Sequence, residues 1–305
     1  MSDRTKGFAL AALASASYGL SPLFALPLYG DGLNADSVLL FRYGLAMALI
    51  GTIMKFKGVS FKLRKNEIFP LGIMGLLFSL SSLTLFSSYM YMDAGIASTI
   101  LFTYPIMVAV LMGAFFKEQI SIVSWGALMI TFFGIMLLGK TANGQTLSGM
   151  GVILVLISSL TYALYMIGIN RSVLKAMPAY KLNFYVLLVG FSVFVVRIIF
   201  STTFHVPTTP FYWLCTLGIA LIPTVISLVT LTKAIHYIGS TSTAILGALE
   251  PMTAIFFGVS VFHEQLTFRI CVGITLILGA VTMIVFEKSL VYRIKLAYHH
   301  RHGIG

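Results

Sequence analysis

A chain of 305 residues with 58% hydrophobic and only 10% charged side chains has too few polar groups to coat a water-soluble globule, so lipid must be the solvent for most of its surface. The net charge of +11 would point to nucleic acid in a soluble protein; in a membrane protein, Lys and Arg instead report orientation through their placement in loops. No separate soluble domain has room to exist, because apolar stretches of roughly 20 residues, enough to cross about 30 Å of hydrocarbon, recur along the whole chain.

Ten spans are predicted, near residues 7–28, 35–54, 68–91, 94–116, 120–139, 148–170, 180–200, 210–232, 240–262 and 267–286. Alternation of period 2 is absent and each stretch is about twice as long as a barrel strand requires, so the spans are helices that satisfy their backbone groups internally. The first begins like a secretory signal, with Arg4, Lys6 and then Ala14, Ser15 and Ala16. Its apolar run continues unbroken to Leu28, however, and cleavage would leave an odd helix count, so it is expected to be retained. Ser15, Tyr18 and Ser21 share one face of this helix. Arg42 and Arg197 lie in spans but within reach of the outer interface, where long cationic side chains snorkel. The run from Lys55 to Lys65 fixes topology, and Glu118 and Glu264 belong to turns in which Ser121 and Thr267 cap the next helix. Ser158, Ser159, Tyr162 and Tyr165 form a second polar stripe in the sixth span, at spacings of three and four. Trp125 and Trp213 suit interfacial anchoring, Cys215 and Cys271 suit packing, and His299, His300, Arg301 and His302 form a solvated basic end with no metal role.

With the amino terminus inside, 16 of the 20 Lys and Arg fall on the inner side, and Arg42, Lys140, Arg197 and Arg269 on the outer. Both termini are therefore expected in the cytoplasm.

Sliding the sequence on itself reveals an internal repeat at an offset of 146 residues. Tyr91 meets Tyr237, Pro105 meets Pro251, Phe116 meets Phe262, Glu118 meets Glu264 and Gln119 meets Gln265, without gaps. Each half holds five spans, an odd number, so the second copy enters the membrane in the opposite sense. Two such copies have two near-equivalent packings, one open to each side, which is what alternating access requires.

Pro105 and Pro251 fall near the middles of the fourth and ninth spans, where each should kink its helix and free the carbonyl of Leu101 or Gly247. Glu250 is the sharpest residue in the chain, an acid deep inside a span that needs a wet cavity, a cation or a proton. Thr243, Gly247 and Glu250 share a helical face, with the glycine leaving a gap where a ligand can approach the backbone. Tyr104 is the counterpart of Glu250 in the first half, so the centre is chemically asymmetric. The candidate substrate or proton site is thus Glu250, Tyr104, Tyr18, Tyr162, Tyr165, Thr243 and Gly247, with Pro105 and Pro251 as kinks.

The duplicated five-helix unit, Pro105 followed by Phe116, Lys117 and Glu118, Pro251 followed by Phe262, His263 and Glu264, and the run Ala248, Leu249, Glu250, Pro251 resemble the EamA-like domain of the drug/metabolite transporter superfamily. The resemblance covers about Phe8 to Phe286 and implies a ten-helix inner-membrane permease with a central cavity between its halves, moving amino acids or related metabolites, usually outward. Members often carry Trp in the first helix where this chain has Tyr18.

The expectation is therefore an all-α integral membrane protein of ten transmembrane helices arranged as two inverted five-helix repeats. Residues 1–139 are the first repeat, 140–147 a connecting loop, 148–287 the second repeat and 288–305 a basic cytoplasmic tail. It exports small metabolites, with protons as a candidate coupling ion, lipid as its surroundings, and no cofactor, metal or nucleic acid. Polyspecific efflux of lipophilic cations is the alternative, which a Tyr-rich interior with one carboxylate also permits. An intramembrane enzyme is a distant third, since H-E-x-x-H and G-x-S-x-G are both missing.

Overall fold

The computed structural model describes residues 3–116, 122–138, 148–200, 204–283 and 286, and all regular structure among them is helical. The Glu118 turn, the 140–147 connection and the basic tail lie outside the described residues.

The first apolar stretch forms two helices, α1 (Asp3–Gly19) and α2 (Ser21–Gly30). Pro22 is the cause of the break, since it has no amide hydrogen to offer the carbonyl of Tyr18, and Ser21 Oγ donates to that carbonyl instead at 2.7 Å. Helix α3 (Ala35–Phe56) starts at Asn34, whose side chain accepts the Ser37 amide at 2.8 Å. Helix α4 (Lys65–Ser88) starts with the Glu67 carboxylate accepting the Arg64 amide at 2.9 Å. There follow α5 (Ala94–Leu101), α6 (Tyr104–Phe116), α7 (Ile122–Leu138), α8 (Gly149–Arg171) and α9 (Ala179–Phe200). Next come α10 (Pro210–Ala220), a π-helical turn at Leu221–Ile226, α11 (Ser227–Leu246), α12 (Leu249–Phe262) and α13 (Phe268–Met283).

Among the described residues seven stretches are long and apolar enough to cross a membrane, namely Thr5–Gly30, Ala35–Phe56, Lys65–Ser88, Ala94–Phe116, Gly149–Arg171, Ala179–Phe200 and Pro210–Leu231. Three shorter apolar helices, Trp125–Leu138, Leu249–Phe262 and Phe268–Met283, also lie among the described residues. The sequence places a turn between residues 232 and 240, inside the stretch Ser227–Leu246. Contacts with α1 show that the chain doubles back within that stretch. Ser227 bonds to the Ala14 carbonyl, Gly7 packs on Tyr237 and Ile238, and Gly19 packs on Glu250. Gly7 and Gly19 are about 18 Å apart along α1, so the chain descends to Ile238 and climbs again to Glu250.

Packing runs mainly between the two halves. Helix α1 lies along α11, α4 along α8, α3 along α9 and α5 along α12. Helix contacts in lipid rely on small residues and hydroxyls, because the tails already solvate apolar side chains. Thus Ser81 Oγ donates to the Ser158 carbonyl at 3.0 Å while Ser158 Oγ donates to that of Ser81 at 2.7 Å, joining α4 to α8. Gly134 and Gly273 bring α7 and α13 together so closely that a Cβ on either would lie 3.0 or 2.9 Å from the other's carbonyl oxygen. One end of the bundle is tied by Arg197 on Asp36, and the other by Lys181 on Glu67.

Candidate functional site

Two interrupted helices meet at the centre. Helices α5 and α6 are separated by Phe102 and Thr103, and α11 and α12 by Gly247 and Ala248. In each case the proline lies in the first turn of the second piece, where its missing amide would have had no helical partner. The chain is therefore broken rather than bent. The Gly247 carbonyl does not stay free as the sequence suggests, because the Glu250 amide donates to it at 3.0 Å. Glu250 occupies the first turn of α12, where the helix dipole favours negative charge.

Tyr104, its repeat counterpart, occupies the first turn of α6 and meets Tyr162 edge-on, with ring centres 4.8 Å apart at 89°. Tyr162 stacks on Tyr165 at 5.8 Å, Tyr165 packs on Phe78 at 5.1 Å, and Phe78 leads to Tyr43 at 6.0 Å. Tyr43 and Ser82 share a hydrogen bond of 2.7 Å between their hydroxyls. Thr103 and Ser159 are joined the same way at 3.1 Å, which ties the α5–α6 break to α8. Tyr18, Tyr104 and Tyr162 all lie within electrostatic reach of Glu250. Each of these four side chains is only partly buried.

The structure thus brings together Glu250, Tyr104, Tyr18, Tyr162 and Tyr165, the last of them buried. Thr243 is buried in the helix that leads to Glu250, and Gly247 forms the break itself. Four helices that are distant in sequence supply the cluster, namely α1, α6, α8 and α12.

Arg42 does not snorkel. It is 2% exposed, its Nε donates to Thr224 Oγ1 at 2.9 Å, and its guanidinium lies over Phe86 at 5.1 Å and Tyr18 at 5.8 Å from the ring centres. Its charge also reaches Glu250, Tyr29 and Tyr89. Arg197 takes Asp36, with Nε on Oδ1 at 2.6 Å and Nη2 on Oδ2 at 3.1 Å, while its own side chain stays 40% exposed as an interfacial residue should.

Glu264 also exceeds its expected role. Its Oε1 accepts the Ala94 amide at 2.8 Å and its Oε2 the Gly95 amide at 3.3 Å, so it caps α5 across the halves. His263, in left-handed conformation at φ 56, turns the chain toward that contact. Burial and the neighbouring Asp93 push the Glu264 carboxyl up to about 7, against the two amides that favour its ionised form.

Chemically, the centre offers a carboxylate, a guanidinium and a set of phenols, groups that bind polar or charged ligands and hold protons. Among the described residues no group of three His, Cys, Asp or Glu side chains is placed to hold a metal ion.

The sequence model of the EamA-like transporter family matches residues 5–140 and 149–286. The uncharacterized transporter sll1319 of Synechocystis sp. is 30% identical over 223 residues, 70% of this chain and 65% of that protein. The uncharacterized transporter YdfC of Bacillus subtilis is 26% identical over 148 residues, 48% of this chain and 47% of its own. The matched stretches therefore span less than two thirds of either curated relative. One crystal structure aligns with 96% of this chain and 98% of its own at a TM-score of 0.66 and 15% identity, a likeness of fold alone.

Proposed function

The chain belongs to the EamA-like transporter family, and from that premise we propose that it exports small zwitterionic metabolites, amino acids or close relatives, by alternating access. In this reading the seven long and three shorter apolar helices make ten spans in two inverted halves. The pairing of helices supports it. An offset of 146 residues maps the contact of α1 with the Ser227 end of α11 onto that of α8 with α4, maps the contact of α1 with α12 onto that of α8 with α6, and maps α3 with α9 onto itself. Such exchangeable contacts are what a pair of inverted units needs in order to swap conformations. The excess of Lys and Arg on one side sets both termini in the cytoplasm of a cell whose inner or plasma membrane holds the protein.

The observation that carries the assignment is Glu250, an acid at a helix break, only partly buried and within electrostatic reach of Tyr18, Tyr104 and Tyr162. Its role is to bind the substrate ammonium group or a coupling proton. The test is efflux of labelled amino acids from proteoliposomes under an imposed pH gradient, with the unaltered chain and Glu250→Gln compared. Flux that follows the gradient and disappears in the variant is expected. Gradient-independent flux that survives in Glu250→Gln would show that the carboxyl is structural.

A second reading, efflux of lipophilic cations, draws support from the contiguous tyrosine rings, whose faces attract cations. Competition between a bulky quaternary ammonium ion and the amino acids separates the two.

A further inference from the structure

Arg42 is left only partly satisfied by the description above. It lies seven residues into α3, about 10 Å from the start of the helix, and is 2% exposed. Arginine keeps its charge in proteins, and a buried cation without a counter-charge costs several kcal/mol. Thr224 supplies a neutral hydroxyl at Nε, Phe86 the weakly negative face of its ring, and Tyr18 both its ring and its hydroxyl, all of them uncharged groups. Nη1 is buried and has no acceptor among the described residues. Asp36, the acid on the same helix, is occupied by Arg197 on both oxygens.

The remaining acid near it is Glu250, whose carboxyl feels the Arg42 charge without forming an ion pair with it. Tyr18 is the common neighbour of the two, interacting with the guanidinium and lying within reach of the carboxyl. Gly19, the next residue, packs on the Glu250 backbone. A cation and an acid thus lie near one tyrosine without forming an ion pair.

We propose that Arg42 is the carboxylate-binding half of the substrate site, its guanidinium fork receiving the carboxylate of a zwitterion whose ammonium group faces Glu250. The proposal deepens the reading of Glu250 as a substrate site and rests on it. A planar fork with two parallel N–H donors matches a carboxylate, and the matched pair adds geometric selectivity to charge. The substrate class narrows to compounds with a free carboxylate, and lipophilic cations become poor ligands because they bring a second positive charge toward Arg42.

The test compares α-amino acids with their carboxamides, which keep the ammonium group and lose the anion. Thermal unfolding of the purified full chain in detergent is followed with each of the twenty amino acids and with the amide of every one that stabilises. The amide of a stabilising amino acid is expected to bind at least tenfold more weakly. Arg42→Gln and Arg42→Lys should weaken the acid at least tenfold and leave the amide unchanged. The acid-against-amide comparison needs no variant, so a misfolded Arg42 variant does not blunt it. Equal affinity for acid and amide, or an unchanged affinity for the acid in a folded Arg42→Gln, overturns the proposal and makes Arg42 a structural cation. If binding is insensitive to the carboxylate but lost in Glu250→Gln, only the Arg42 assignment falls. If no amino acid or amide binds or is transported, the zwitterion reading falls with it.

Discussion

The substitution Gly19→Ala tests the close approach of α1 to the start of α12. An added Cβ at Gly19 would collide with the Glu250 carbonyl oxygen and lie 2.8 Å from Thr253 Cβ, against an ordinary contact of 3.4–4 Å. Neither atom belongs to the far end of a flexible side chain, so no rotamer change relieves the clash and the two helices must move apart. Overpacking of this kind costs about 1–3 kcal/mol. The helix preference of alanine over glycine returns at most about 1 kcal/mol, and less at the last residue of a helix. Gly72→Ala in α4 is the matched control, because nothing lies within 4 Å of its added Cβ. It should be neutral or slightly stabilising. The two variants are compared for unfolding midpoint in one detergent and for efflux from proteoliposomes. Gly19→Ala should lower both, since the displaced atom belongs to Glu250 itself. If it behaves like Gly72→Ala in both assays, the packing of α1 on α12 inferred here is wrong.

Asp36→Asn removes the counter-charge of Arg197 and should cost about 1–2 kcal/mol, less than a fully buried pair, because Arg197 is 40% exposed and water recovers part of the loss. A double-mutant cycle with Arg197→Gln, read by thermal unfolding, should return most of that amount as coupling. Glu264 predicts a pH effect of definite sign. Its folded value of about 7 stands above the ordinary 4.5, so its contribution to stability is complete below about pH 4.5 and is lost as pH rises through 7. Unfolding midpoints measured from pH 5 to 8 should therefore fall in the unaltered chain and fall less in Glu264→Gln; parallel slopes would refute the assignment. Ser158→Val removes the Ser158 hydroxyl's bonds to the Ser81 carbonyl and to Ser81 Oγ and adds bulk between α4 and α8, with an expected loss of about 1–3 kcal/mol. Ser192→Val, whose hydroxyl bonds only within its own helix at an exposed position, should change stability little.

Much of this protein was legible in its sequence because lipid imposes a simple rule on composition. Apolar stretches of fixed length, separated by basic loops, follow from the thickness of hydrocarbon and the need to satisfy the backbone inside it. The helices at Ala35–Phe56, Ala179–Phe200 and Gly149–Arg171 accordingly lie within two residues of their expected limits. The offset that pairs Pro105 with Pro251 also marked where the two central helices are interrupted. Glu250 stood out because an acid at that depth must face water, pair with a cation, take up a proton or be held neutral by hydrogen bonds.

What the sequence did not reveal were partnerships between distant segments. Arg42 and Arg197 look alike as cations in apolar runs, and only the approach of α9 to α3 decides that Asp36 goes to Arg197 and leaves Arg42 buried near Tyr18. Glu264 reads as the end of a turn until α5 is brought beneath it. The turn between the eighth and ninth predicted spans falls within Ser227–Leu246, and only the contacts of Tyr237 and Glu250 with opposite ends of α1 show the chain reversing there. Composition and periodicity thus determine how many segments are apolar, how long they are and which residues break them, since these depend on each segment's own exchange between water and lipid. Which charge faces which partner depends on contacts between α1, α3, α6, α8 and α12, and those exist only once the bundle has assembled.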